Sequence, residues 1–174
     1  MAFASATAAR IDALTDAVGR TAAWGALAIA LLMAGNVLLR YAFDTGSVWA
    51  QELEWHLLAP LALAGMSYAQ RHGEHVRVDV FYARYGQRGQ AAVDMLSALL
   101  AVGFALFIIK VSVPYVDAAW SIDEGSADPG GLPHRWLLKG LIPVGFALFA
   151  LQSLAGGLQA AVRFKRFKEA GDAR

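Results

Sequence analysis

The stretch TAAWGALAIALLMAGNVLL, residues 21–39, lies between Arg20 and Arg40 and contains no ionisable side chain. Nineteen such residues, wound at 1.5 Å each, come close to the thickness of a bilayer's hydrocarbon core. Leu27, Ile29, Leu31, Leu32, Val37 and Leu38 supply a lipid-compatible surface. Backbone amides cannot go unpaired in hydrocarbon, and this composition does not suit alternating barrel strands, so the segment is expected to be a transmembrane helix.

Three further segments repeat the pattern. The second covers about 53–70 and is shorter and less pure, with Glu54 and His56 near its start. The third covers about 93–113, through ALLAVGFALFIIKV, with Lys110 near its end. The fourth covers about 138–162, through GLIPVGFALFALQSLAGGLQAAV. Charged residues make up only 17% of the 174, against about 25% in a soluble domain, and they cluster between these segments. Four spans consume most of the chain. The expected architecture is therefore a single all-α membrane domain of four transmembrane helices. With no cysteine in the chain, neither a disulfide framework nor a thiolate metal site is available.

The first twenty residues do not have the layout of a cleaved secretory signal. Arg10, Asp12, Asp16 and Arg20 alternate there with Ile11, Leu14 and Val18 at helical spacing. A short amphipathic helix on the membrane surface is one reading, a loosely ordered tail the other. Of the fifteen Lys and Arg residues, eleven fall before the first span, between the second and third, or after the fourth. Only Arg40, Lys110, Arg135 and Lys139 fall on the other side. That bias places both termini and the middle loop in the cytoplasm. The outer loops are acidic, with Asp117, Asp123, Glu124 and Asp128 close together.

Small residues recur every four positions at Ala26, Ala30 and Ala34, at Ser97, Ala101 and Ala105, and at Ser153, Gly157 and Ala161. In lipid such stripes let helices approach closely, within the chain or against a partner. Lys110 sits where its stem can carry the ammonium to the interface. Asn36 is expected to bond a neighbouring helix. His56 is the only histidine within a span, so a haem held between two histidines at matching depth is not supported, and no cofactor is expected. Nor does any span carry a central carboxylate to couple protons to a solute.

In GSVWAQELEWHLLAP, Ser47 is an expected N-cap, and Trp49, Leu53 and Leu57 share a face. The segment reads either as an interfacial helix anchored by Trp49 and Trp55 or as a docking edge for another subunit. The inner loop AQRHGEHVRVDVFYARYGQRG offers arginines to anionic lipid headgroups, with Asp79 placed to cap the third helix. In SIDEGSADPGGLPHRW, Gly130, Gly131 and Pro133 are expected to fix a turn before the fourth helix. This acidic loop is either a surface for a soluble periplasmic partner or a connector.

WAQELE (Trp49 to Glu54), GEHVRVD (Gly73 to Asp79), DPGGLPHRW (Asp128 to Trp136) and LIPVGF (Leu141 to Phe146) occur in that order. Together they resemble the small membrane subunit of tripartite ATP-independent periplasmic (TRAP) transporters, the DctQ-like family, over roughly residues 20–162. The resemblance implies a bacterial inner-membrane subunit of a sodium-coupled importer of organic acids. Its partners would be a large multi-helix permease subunit, a periplasmic substrate-binding protein and membrane lipid, with no nucleic acid. The PGGLP loop looks most like the branch paired with receptors for 2-oxo acids and other monocarboxylates, with C4-dicarboxylates the other cargo class. Trp49, Glu52, His75, Arg77, Asp79, Gly131 and Pro133 match family positions. With Arg40, Glu54 and Lys139 they are the candidates for subunit-interface or membrane-positioning roles; none is expected to be catalytic, to bind substrate or to hold a metal. The competing classes are a membrane anchor of a redox enzyme and an autonomous small transporter.

Overall fold

The computed structural model describes residues 2–74 and 82–172, with side chains placed for 6–74 and 82–167. These form four long helices: α1 (Ala2–Phe43), α2 (Val48–His72), α3 (Gln87–Ser121) and α4 (Arg135–Asp172). At 42, 35 and 38 residues, α1, α3 and α4 run about 63, 53 and 57 Å at 1.5 Å per residue. Each of these three is long and apolar enough to cross a membrane. The 25 residues of α2 also reach across a bilayer, at about 38 Å, but its composition is more polar.

Two expected interfacial helices are not separate elements. Residues 2–20 continue directly into the first apolar segment as one helix, because nothing between Ala17 and Thr21 breaks it and its polar side chains find partners on α2 and α4. The segment after Ser47 likewise runs straight through Pro60 to His72. Ser47 does occupy the N-cap with extended backbone, yet its hydroxyl makes no capping bond. At the other end Gly73 closes α2 in the left-handed region, φ 75°, accepting no Cβ penalty.

Contacts between helix ends fix the directions. Asp16 near the start of α1 meets Arg71 at the end of α2, and Asp94 near the start of α3 meets Arg163 near the end of α4. Each of those pairs is antiparallel. Gln70 meets Ser153, and Glu52 faces Arg135 at 4.0 Å, so α2 and α4 run parallel. The starts of α1 and α3 and the ends of α2 and α4 therefore share one end of the bundle, here called the basic end. The α3–α4 hairpin is the most extensively packed pair, and α4 also touches α1 and α2.

The interior is built from small residues. Ala8, Ala50, Ala64, Ala91, Ala105, Ala119, Ala150, Ala155 and Ala160 are buried together with Thr15, Ser67 and Ser153, while Leu31, Leu38, Leu99, Leu100 and Phe107 lie exposed. That inversion of the soluble pattern is what lipid demands: large apolar chains gain nothing by facing inward, whereas small ones bring backbones together. On α3 the covered positions include Ala91, Asp94, Ala98, Ala101, Ala105, Ile108, Ser112, Val116 and Ala119, steps of three and four that average a 3.5-residue seam. The expected stripes on α3 and α4 largely belong to such seams, with Ala105 and Ser153 fully covered and Ser97 left at the edge. The α1 stripe does not. Ala26, Ala30 and Ala34 are exposed, and α1 instead turns Gly25, Ile29, Leu32 and Asn36 inward. Gly25 lies close to the Leu57 carbonyl, and the alanine stripe faces out of the bundle, on the side open to a partner.

Candidate functional site

Glu52 organises the end of the bundle opposite the basic end. It stands one turn into α2, at the edge of the expected second span, and its carboxylate points at the α3–α4 connection. Ser126 donates its hydroxyl to one oxygen, the Leu132 amide donates to the other at 2.5 Å, and Arg135 lies 4.0 Å away. The hydrogen bond from Ser126, then that from Leu132, holds the Glu52 carboxyl below its ordinary value of 4.5, with Arg135 adding to the effect. Gly131 is required beside it: a Cβ there would overlap Ser126 and come within 2.7 Å of the Glu52 carboxylate. The expected turn is present, with Gly130 at φ 81° and the Gly131 amide bonded to the Asp128 carbonyl at 3.0 Å.

The loop is also closed on itself. Ser126 N–H reaches the Leu132 carbonyl at 3.0 Å, and Arg135 N–H reaches the Glu124 carbonyl at 2.7 Å. Asp123 and His134 both hold left-handed backbone, φ 44° and 59°, and their side chains bond each other at 2.7 Å. Lys139 pairs with Glu124 and sits 4.0 Å over the Tyr115 ring. Trp120 packs edge-on against Trp136 with centroids 4.2 Å apart. An acidic loop of a dozen residues is thus a fixed platform.

Because the folded-state value for Glu52 is depressed, its hold on the loop is complete at neutral pH and is lost as the pH falls below about 4.5. The protection of the amides in residues 126–132 against hydrogen exchange, taken relative to the intrinsic rate at each pH, is expected to fall over that acid range. In Glu52→Gln the same amides should exchange faster at pH 7 and show no further acid step.

At the basic end three clamps cross between helices. Arg71 pairs with Asp16 and donates to the Asp12 carbonyl, while His72 lies 3.1 Å from Asp16. Asp12 accepts from Gln152 at 2.9 Å and from Gln159 at 3.2 Å. Asp94 accepts from Arg163 at 2.8 Å and from Tyr82 at 3.0 Å. Between them Gln70 and Ser153 bond at 2.8 Å, and Gly19 lies flat against Tyr68, where any Cβ would collide.

The sequence candidates separate accordingly. Glu52, Gly131 and Lys139 belong to the outer platform. Arg40 and Glu54 line a groove of about 270 Å³ between α1 and α2, together with Asn36 and Trp55. Trp49 and Pro133 are exposed. His75, Arg77 and Asp79, including the cap expected of Asp79, lie outside the described residues. Sequence reading missed Ser126 as the partner of Glu52 and the whole set of basic-end clamps; the four-residue spacing of Asp12 and Asp16 on the first helix was the available signal. Asn36 is buried, but its carbonyl oxygen finds no partner among the described residues. His56 donates from Nδ1 to the Glu52 carbonyl at 2.8 Å. Among the described residues no three His, Asp or Glu side chains converge as metal ligands would.

Long apolar helices with small-residue seams, clamped at both ends by polar contacts, define a helical membrane protein. Residues 29–163 match the family described as tripartite ATP-independent periplasmic transporters, DctQ component, and the chain belongs to that family. It is a TRAP transporter small permease subunit. It is similar to the ectoine TRAP transporter small permease protein TeaB of Halomonas elongata, with 29% identity over 133 residues, which is 76% of this chain and 67% of the relative.

Proposed function

We propose that this chain is the non-transporting scaffold subunit of a sodium-coupled, binding-protein-dependent importer of organic acids. It crosses the bacterial inner membrane four times with both termini in the cytoplasm, and it holds the large permease subunit's fixed portion in the bilayer while the cargo-carrying portion moves. The observation that carries this reading is the distribution of polar groups. Both ends of the bundle are tied by polar clamps, whereas the middle is a small-residue seam with no central carboxylate among the described residues. A solute pathway normally needs such a group, or a pair of broken helices, at the midplane.

Counting α2 as the fourth span follows from its place between α1 and α4. Glu52, Gln70, Arg71 and His72 there meet α1, α4 or the outer loop, and a partly covered helix needs less lipophilic surface than α1 or α3. The cytoplasmic placement of the basic end follows the Lys and Arg bias. The outer platform then faces the periplasm, where a soluble binding protein approaches.

Co-expressed with the large subunit and extracted in mild detergent, this chain is expected to elute with it. Liposomes holding this chain alone should show no sodium-dependent uptake. Recovery only as a free chain, or uptake without a partner, overturns the reading. The organic-acid assignment is tested separately, by identifying the ligand on the partner binding protein. The relative's name favours ectoine as the second reading of the cargo.

A further inference from the structure

At the basic end the helices part around a cleft of about 780 Å³. Toward the middle of the bundle its wall is small or apolar, formed by Ala98 and Ala101 of α3 and Phe149 and Gly156 of α4. Its rim carries Asp12, Arg71, Asp94 and Arg163. Among the described residues the wall changes from apolar to ionic toward the aqueous side, which matches an amphiphile lying along it.

The rim charges are not all used up within the protein. Arg163 gives one nitrogen to Asp94, yet its side chain remains 54% exposed, leaving further guanidinium N–H groups to donate. Asp12 is held by two neutral amides, those of Gln152 and Gln159, and no cation among the described residues comes within ion-pair distance of its carboxylate. Gln152 is 96% buried by its 4% exposure, so the amide that fixes Asp12 is itself built into the bundle. Arg71 reaches the Asp12 backbone carbonyl but forms its ion pair with Asp16, so among the described residues the partly buried Asp12 carboxylate has room for a cationic donor. Gln159, which bonds Asp12, lies one helical turn from Arg163, and side chains so spaced sit about 5–6 Å apart at Cβ. An anion-binding guanidinium and a carboxylate open to a cation thus lie on the rim of the same cleft.

We propose that this cleft binds a phospholipid with a primary-amine headgroup, phosphatidylethanolamine being the simplest. Arg163 receives the phosphate, Asp12 receives the ammonium, and an acyl chain runs along the Ala98–Gly156 wall. The proposal needs only that the helices span a membrane and is independent of cargo and of the large subunit.

The test uses the full chain in nanodiscs containing equal amounts of phosphatidylethanolamine, phosphatidylglycerol and phosphatidylcholine, followed by gentle release and native mass spectrometry. One lipid is expected to stay bound, with phosphatidylethanolamine enriched roughly tenfold over both others, the order a hydrogen bond to a charged group confers. Phosphatidylglycerol lacks the cation, and the quaternary ammonium of phosphatidylcholine has no N–H to donate. Asp12→Asn should erase the preference for the amine while a lipid is still retained. Arg163→Gln should weaken retention of all three. Gly156→Leu, at a position where a Cβ meets nothing within 4 Å, should fill the cleft and abolish retention with melting unchanged. Retention of phosphatidylglycerol equal to the amine lipid, no retained lipid, or unchanged selectivity in Asp12→Asn overturns the proposal.

Discussion

Glu52→Ala is expected to release the loop between α3 and α4 and to abolish binding-protein-driven uptake while the helices stay folded. The carboxylate receives Ser126 and the Leu132 amide and faces Arg135. Removing it leaves a donor hydroxyl, a backbone N–H and a guanidinium around a small cavity. Water then replaces a negative charge that held three parts of one loop together. The backbone closures from Ser126 to Leu132 and from Arg135 to Glu124 remain, so the loop loosens as a unit. Limited proteolysis within residues 123–134 should run roughly tenfold faster, because local opening controls cleavage when the rest of the fold is intact. Circular dichroism should report unchanged helix content. If cleavage is no faster, the platform is held by its own backbone and Glu52 is dispensable. Gly131→Ala approaches the same site from the other side, pressing a methyl group against Ser126 and the Glu52 carboxylate, and should give a similar loosening.

The second large effect belongs to Gly145, at the contact between α4 and α2. It is buried, and a Cβ on it would stand 2.6 Å from the Cβ of Leu63. That neighbour is the root of a side chain on a rigid helix and cannot swing aside. Gly145→Leu therefore forces the two helices apart and is expected to cost about 1–3 kcal/mol or more, the usual range for overpacking. On the proposed scaffold role, assembly should suffer as well. α2 contacts α1 and α4, so displacing it shifts the outward surface that α1 and α2 present together. The measurable outcome is a lower melting temperature in detergent together with loss of the large subunit on co-purification. Gly140→Leu, on the same helix but with nothing near its Cβ, should do neither. A normal complex with Gly145→Leu would mean that α2 can repack.

The sequence made the apolar segments easy to find, since 21–39, 93–113 and 138–162 each fall inside a helix long and apolar enough for a membrane. Their ends were harder to read. The N-terminal twenty residues look like a surface helix because their charges alternate with apolar residues, but Asp12 and Asp16 are satisfied by α2 and α4, and so the helix continues straight. Charges paired across helices leave no local mark in the chain: Asp94 and Arg163 are 69 residues apart. Part of the α3 seam was legible, since Ala101 and Ala105 of the expected stripe lie on it, whereas the inward face of α1 uses Gly25, Ile29 and Leu32 and resembles any apolar run. Glu52 and Gly131 were both singled out, yet only the folded chain shows that they belong to one site, because the bonds from Ser126 and the Leu132 amide that bring Glu52 beside Gly131 join a helix to a distant loop.

The 3.5-residue spacing from Ala91 to Ala119 also restricts how this protein can vary. An ideal helix turns once in 3.6 residues, so a seam kept over nine positions favours a left-handed coil of α3 and α4 around each other. One residue inserted anywhere between Asp94 and Ala119 rotates everything beyond it by about 100°. Leucines and phenylalanines would swing into a gap sized for alanine. Length changes can accumulate in the connections, but this hairpin behaves like a toothed rack, open to substitution and closed to insertion.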